Sequence, residues 1–131
     1  SGNMQALQTT YTGRDVIWLS INSSAPGKQG NFTSKEILSR AKEYGAAFSA
    51  YLIDADGKVG KAYGARTTPH MFIIDPEGQL VYAGGIDNIR STDVDDVPRA
   101  KNFISQALDE ALAGQPITDS ISKAYGCSVK Y

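Results

Sequence analysis

Tyr63-Gly64-Ala65-Arg66-Thr67-Thr68-Pro69-His70-Met71-Phe72-Ile73-Ile74-Asp75-Pro76-Glu77-Gly78 is the most informative run in the chain. Met71 to Ile74 is an unbroken apolar stretch bounded by turn formers, the pattern of a buried strand. Asp75-Pro76-Glu77-Gly78 supplies the residues a tight turn needs, and Leu80-Val81-Tyr82-Ala83 returns as the second arm of a hairpin that Gly84 and Gly85 end. On the other side, Val59 to Tyr63 is a short helix closed by Gly64. Between helix and strand lies a Thr68–Pro69 step. An X–Pro bond carries only a small cis penalty, so this step is either a cis turn or a trans proline that opens the strand.

Upstream of that run, Tyr51-Leu52-Ile53 reads as a short strand that enters the turn Asp54-Ala55-Asp56-Gly57. Thr33 or Ser34 caps a helix with Glu36 in its first turn and Ile37, Leu38, Ala41 and Tyr44 as its apolar face, and Gly45 stops it. Asn22 to Asn31 is a loop containing Pro26, Gly27 and Gly30. Val16 to Ile21 is rich in β-formers and nearly continuous in apolar residues, as in a strand buried on both faces. Met4, Leu7 and Tyr11 mark a helix that Gly13 ends. Downstream, Asp93, Asp95 and Asp96 open a long helix with Pro98 in its first turn. Its stripe is Val97, Ala100, Ile104, Ala107, Leu108, Ala111 and Leu112, and Gly114 and Pro116 stop it. The expected division is one domain over residues 1–116 and a polar tail over 117–131. Strands alternating with helices, then a hairpin and a covering helix, make a layered α/β domain.

The 131 residues carry 13 Lys and Arg against 14 Asp and Glu, a net charge of −1. That balance offers no electrostatic footprint for nucleic acid. No apolar run approaches the ~20 residues that cross a bilayer. Ser1-Gly2-Asn3-Met4 shows no basic start followed by an apolar stretch, so no leader is read there. The single cysteine, Cys127, cannot close an internal disulfide or build a zinc site from cysteine pairs, and the single histidine, His70, excludes a site built on several histidines.

The run from Tyr63 to Gly78, with the short helix, the Thr-Pro step, the strand and Asp-Pro-x-Gly, resembles the second half of a thioredoxin fold. It is similar to the redoxin branch, which includes alkyl hydroperoxide reductase/thiol-specific antioxidant proteins. The similarity is nearest to a bacterial peroxiredoxin-like group, and it extends from Ser1-Gly2-Asn3-Met4 through Asn22-Ser23-Ser24-Ala25-Pro26-Gly27 to Gly126-Cys127-Ser128-Val129-Lys130-Tyr131. The resemblance implies a thioredoxin-like three-layer α/β sandwich with a mixed sheet, lacking the N-terminal strand or strands. It makes Pro69 the cis-proline and leaves the Thr68 backbone open to an extended substrate.

Relatives in that group carry a first strand and a Cys-Pro loop before the helix in which this sequence begins. The attacking cysteine is therefore expected to be absent here, and the strand between Val16–Ile21 and Met71–Ile74 is expected to be missing. Three explanations stay open: a fragment, a strand supplied by another copy in a homo-oligomer, or an altered sheet. The implied activity is thiol-dependent oxidoreduction, with a peroxide or a protein or small-molecule disulfide as substrate, a thiol reductant, and no cofactor or metal. The rival class is a non-catalytic module that binds extended peptides. Bacterial periplasm and cytoplasm both stay open.

Within that frame Cys127 is the candidate resolving thiol, carried by a mobile tail, against an inert cysteine. Thr68 and Pro69 would shape the substrate site. Arg66 and His70 would steady a thiolate or peroxide oxygen, against the reading of both as surface residues. Asp54-x-Asp56-Gly57 lacks the acid that a calcium loop needs at its twelfth position, where Ala65 stands, and reads as a turn. Asp93, Asp95 and Asp96 read as helix capping and not as a metal cluster.

Overall fold

The computed structural model describes residues 3–88 and 101–131. Its element order is α1 (Asn3–Thr12), β1 (Leu19–Asn22), α2 (Ser34–Tyr44), β2 (Ala50–Ile53), α3 (Lys58–Tyr63), β3 (Thr67–Thr68), β4 (Met71–Ile74), β5 (Leu80–Gly84), α4 (Phe103–Leu112) and β6 (Cys127–Ser128). The chain forms two compact units, Ser1–Ala65 with Val129–Tyr131, and Arg66–Ser128. Parallel and antiparallel pairing both occur, in three two-stranded ladders among the described residues, β1–β2, β3–β6 and β4–β5.

In the first unit α1 buries Leu7, Gln8 and Tyr11. Leu7 and Tyr11 belong to the expected stripe. Gln8 is polar, and its Oε1 accepts a hydrogen bond from Ala47 N at 2.8 Å, which satisfies an amide that burial would otherwise leave costly. The expected strand from Val16 to Ile21 starts only at Leu19. Its first residues are engaged elsewhere: Val16 N donates to Tyr11 O, and Trp18 N donates to Ser49 Oγ at 2.9 Å. The strand is also not buried on both faces. Trp18 is buried, while Ile17, Leu19 and Ile21 are 77%, 50% and 45% exposed. β1 pairs in parallel with β2 from Leu19↔Ala50 to Asn22↔Ile53, and no second strand flanks it among the described residues to cover that face.

The α2 helix starts as its sequence implies. Thr33 Oγ1 accepts from Glu36 N, and Glu36 Oε2 accepts from Thr33 N, a reciprocal box that satisfies two otherwise orphaned donors. Gly45 ends it in the left-handed conformation. Of the expected apolar face only Ile37 is buried, and Leu38 and Tyr44 stay exposed. An open, largely apolar cavity of about 180 Å³ lies where that face would pack, lined by Phe32, Ile37, Tyr44, Phe48 and Tyr51 among others.

Asp54 explains the start of α3. Its carboxylate is buried and accepts from Ser23 Oγ at 2.6 Å, Gly60 N at 2.8 Å and Val59 N at 3.1 Å. Those bonds, that of Ser23 first, outweigh burial and hold Asp54 below its ordinary pKa. The acid is a helix cap, in keeping with the turn reading. Tyr131 closes the same unit: its hydroxyl donates to Ala65 O at 2.6 Å, and its ring occupies space that Gly57 leaves by having no side chain.

The second unit is built on the β4–β5 hairpin, antiparallel from Met71↔Gly84 to Ile74↔Leu80 with an irregularity between Ile73 and Ile74. Asp75 Oδ1 accepts from Glu77 N and Gln79 N and fixes the turn. Ile104, Ala107 and Leu108 of α4 are buried, as is Tyr82 of β5. The α4 helix begins at Phe103 behind Asn102, whose Oδ1 accepts from Ser105 N at 2.8 Å. Asn102 itself is extended because it bridges to Asp87. The expected opening with Asp93, Asp95, Asp96 and Pro98, and the stripe positions Val97 and Ala100, lie outside the described residues. Ala111 and Leu112 are exposed.

Candidate functional site

The residues singled out from the sequence gather at one edge of the second unit. Thr67 and Thr68 form β3, which pairs antiparallel with β6 in the register Thr67↔Ser128 and Thr68↔Cys127. The Thr68–Pro69 peptide bond is cis. Thr67 Oγ1 donates to Pro69 O at 3.0 Å and bridges the bend. Thr68, Cys127 and Ser128 are exposed, and Cys127 is a free thiol.

Gly126 governs how closely the two segments approach. Its φ is +136°, a backbone state that L side chains rarely adopt. A Cβ built there would collide with Thr68 O, stand 3.0 Å from the Thr68 carbonyl carbon and 3.5 Å from Pro69 N. Only glycine lets the main chain pass over this peptide unit. The expectation that the Thr68 backbone stands open to a substrate is therefore corrected: a segment of the same chain already lies on it. The reason is geometric, since the edge accepts an extended strand and Gly126-Cys127-Ser128 supplies one without a steric obstacle.

Arg66 and His70 flank the bend. Arg66 N donates to His70 Nδ1 at 3.2 Å. A ring nitrogen that accepts cannot carry the proton, so neutral His70 holds it on Nε2. The ring stacks on Phe72 with centroids 4.6 Å apart and planes 17° apart. Burial, and then the charge of Arg66, lower the His70 pKa below its ordinary 6.5. At neutral pH this group is a neutral hydrogen-bond donor and not a cation. Arg66 is exposed.

Residues 120–125 are held against the hairpin. Ser120 O accepts from Ala83 N and Ser122 N donates to Ala83 O, which lays this segment along β5. Ser122 Oγ accepts from Gly85 N at 3.0 Å and meets the buried Tyr82 hydroxyl at 2.6 Å. The Tyr82 hydroxyl also donates to Gly85 O. Tyr125 donates to the Asp87 carboxylate, and burial followed by that carboxylate pushes the phenol pKa well up. None of Gly126, Ser122, Tyr125 and Asp87 was singled out as a site residue from sequence. The available signal was the Gly84-Gly85 pair, which reads as a strand end but leaves room for a crossing segment: a Cβ at Gly84 would stand 2.6 Å from Ser122 O, and one at Gly85 would stand 2.8 Å from Lys123 O.

No group of three or more potential metal ligands occurs among the described residues. No helix among them is long and apolar enough to cross a membrane.

Comparison with known proteins assigns the class. A family model described as Redoxin matches residues 4–104. The chain belongs to the Redoxin family, with a thioredoxin-like α/β fold and the thiol-dependent redox function that the family as a whole suggests. A crystal structure of a hypothetical protein from Sinorhizobium meliloti is 30% identical with a TM-score of 0.81, covering 97% of this chain and 68% of that one. An uncharacterized conserved protein from Geobacillus kaustophilus is also 30% identical, with a TM-score of 0.85, covering 98% of this chain and 66% of that one. The chain thus spans about two thirds of the length of these relatives. No curated protein matches it.

Proposed function

We propose that this chain provides the substrate edge and the second thiol of a peroxiredoxin-like thiol oxidoreductase, whose attacking cysteine lies outside these 131 residues. The observation that carries this reading is the register Thr68↔Cys127, which sets the single thiol of the chain beside the Thr68–Pro69 bend. In the proposed sequence an external thiolate attacks the peroxide O–O bond. One oxygen leaves as alcohol or water, and the sulfur becomes a sulfenic acid. Cys127 attacks that sulfur, expels hydroxide as water, and forms a disulfide. Two electrons from a dithiol reductant then restore both thiols by exchange. With a disulfide substrate in place of peroxide, the same thiol resolves a mixed disulfide. The His70 Nε2 proton and the Arg66 guanidinium stand on the same loop, and their proposed part is to steady charge on oxygen or sulfur as it develops.

Dithiothreitol-driven reduction of insulin tests the exchange step in a longer chain that includes the attacking cysteine. That protein should accelerate insulin precipitation over dithiothreitol alone, and Cys127→Ser in it should slow the reaction. Hydrogen peroxide alone should not react rapidly with the chain. A fast second-order loss of peroxide would sink the assignment of the attacking thiol to another segment. An unchanged rate on Cys127→Ser would remove Cys127 from the reaction. No acceleration with insulin would favour the second reading, a non-catalytic module that binds extended peptides, which the strand already seated on β3 supports.

A further inference from the structure

We propose that the cavity of about 180 Å³ beside α2 binds a small aromatic carboxylate, with its ring among the aromatic walls and its carboxylate on the Arg40 guanidinium. The site lies wholly in the first unit and shares no residue with the Thr68 edge. The inference therefore goes beyond the redox reading and does not depend on it.

The cavity exists because small residues stand among large ones. Ala41 and Ala46 share its lining with the rings of Phe32, Tyr44, Phe48 and Tyr51. Its frame is held by bonds that do not depend on filling it. Ala46 N donates to Ala41 O at 3.0 Å and fixes the turn after α2. Tyr51 sits on β2, and its hydroxyl accepts from Asn22 Nδ2 at 2.9 Å, while the same amide group donates to Gly30 O at 2.7 Å. Phe48 leans on Tyr51 with ring centroids 5.6 Å apart and planes 57° apart. Walls that are already fixed lose little freedom when a guest arrives, which leaves more of the contact energy for affinity.

The lining selects the guest. An apolar cavity of about 150 Å³ holds a benzene-sized molecule, so this one has room for a single six-membered ring and not for a long acyl chain. Facing four rings, an aromatic guest gains edge-to-face and offset contacts that an aliphatic guest of equal size lacks. Among the described residues that line the cavity, Arg40 is the one that carries charge. Its guanidinium lies 4.0 Å from the Phe32 ring centroid, and the Glu36 carboxylate one turn away is taken up by Thr33 N. Stacking uses the face of the guanidinium and leaves its in-plane N–H donors, which fit a carboxylate two at a time. The first unit also carries eight Lys and Arg against five Asp and Glu, so the surrounding field favours an anion. Arg40 is exposed, so the carboxylate keeps part of its water and the charge adds selectivity more than affinity.

The test titrates the full chain with phenylacetate, with its neutral counterpart phenylacetamide and with acetate, and follows the backbone amide shifts by NMR. Phenylacetate should bind saturably with a dissociation constant of about 1 mM or below, with the shifts centred on Ala41, Ala46 and Phe48. It should bind about three-fold more tightly than phenylacetamide, and Arg40→Gln should bring the two to equal affinity. Ala41→Leu, which fills the cavity from the helix, should weaken both by at least about ten-fold, and the same spectra show whether the variant is folded. Nuclear Overhauser contacts between the phenyl protons and the Ile37 methyl groups, expected in the unsubstituted chain, are the second measurement and need no variant; their absence at saturation overturns the proposal. Acetate that reproduced the phenylacetate shifts would reduce the site to one exposed cation and overturn it. So would equal affinity for acid and amide in the unsubstituted chain, or no saturation by about 10 mM phenylacetate. Shifts of the cavity amides on dilution of the chain alone would mean that a second copy covers the cavity, and would overturn it as well.

Discussion

Segments 120–125 and 126–128 adjoin in sequence and pair with the same unit, yet they differ in kind. The first lies along β5, where Ser122 completes the hydrogen bonding of Tyr82 and Gly85, both buried. Removing a partner there leaves polar atoms without water, at about 1–3 kcal/mol each. The second lies on β3, where the donors and acceptors it would release meet solvent and the net value of a bond is only about 0.5–1.5 kcal/mol. The same hydrogen-bond chemistry is buried in one place and meets solvent in the other, and burial sets what a lost partner costs.

The most severe way to break that contrast is to fill the buried crossing. Gly84→Val would place side-chain atoms against the Ser122 main chain, where even a Cβ would stand 2.6 Å from Ser122 O. The expected loss is about 3 kcal/mol of unfolding free energy, at the upper end for overpacking, because backbone cannot rotate away as a side chain can. Urea unfolding followed by tyrosine fluorescence measures it. A change below about 0.5 kcal/mol, the range of ordinary surface substitutions, would show that segment 120–125 is no better seated than β6.

Very little of this arrangement was legible in the sequence, and the reason is physical. The run from Tyr63 to Gly78 was readable because each feature is local: Asp75 caps a turn whose bonds reach only to Glu77 and Gln79. The α2 helix was readable for the same reason, its box joining Thr33 to Glu36. The pairing of Thr68 with Cys127 joins residues far apart in sequence through strands too short to show any alternation. A polar stretch such as 117–131 then looks like a tail whether or not it is held. The cap at Asn102, ahead of Phe103, carries no strong local mark in the sequence and depends on its distant bridge to Asp87. The site residues themselves were named because the Thr-Pro step, the lone thiol and the lone histidine are conspicuous. What holds them together was not.

A gentler change sharpens the contrast without moving the backbone. Tyr82→Phe removes one hydroxyl that serves both Gly85 O and Ser122 Oγ. The Tyr82 proton goes to Gly85 O, so Ser122 Oγ donates to the Tyr82 oxygen; Ser122 keeps its bond from Gly85 N, while Gly85 O loses its hydroxyl donor and the Ser122 proton its acceptor. The expected cost is about 1–2 kcal/mol, measured by the same unfolding assay. The β3–β6 ladder should keep its exchange rate, because Tyr82 makes no bond to it. A β3–β6 ladder that opened in parallel with the loss at Tyr82 would tie the two segments into one cooperative element.

The smallest expected effect belongs to His70, at the exposed end of the contrast. Its pKa is held below 6.5, first by burial and second by Arg66. Below pH 6.5 the unfolded chain takes up a proton that the folded chain still resists, so protons favour unfolding. The stabilisation is therefore fully present above pH 6.5 and is lost as pH falls from there through the lower folded value. An NMR titration of the His70 ring should give a midpoint below 6.5. Arg66→Ala should raise that midpoint only in part, since burial is the larger cause and survives the substitution. Full return to 6.5 in that variant would make the guanidinium the dominant influence. Burial would then count for little at this ring, and the loop beside Thr68 would owe its neutral histidine to the neighbouring charge.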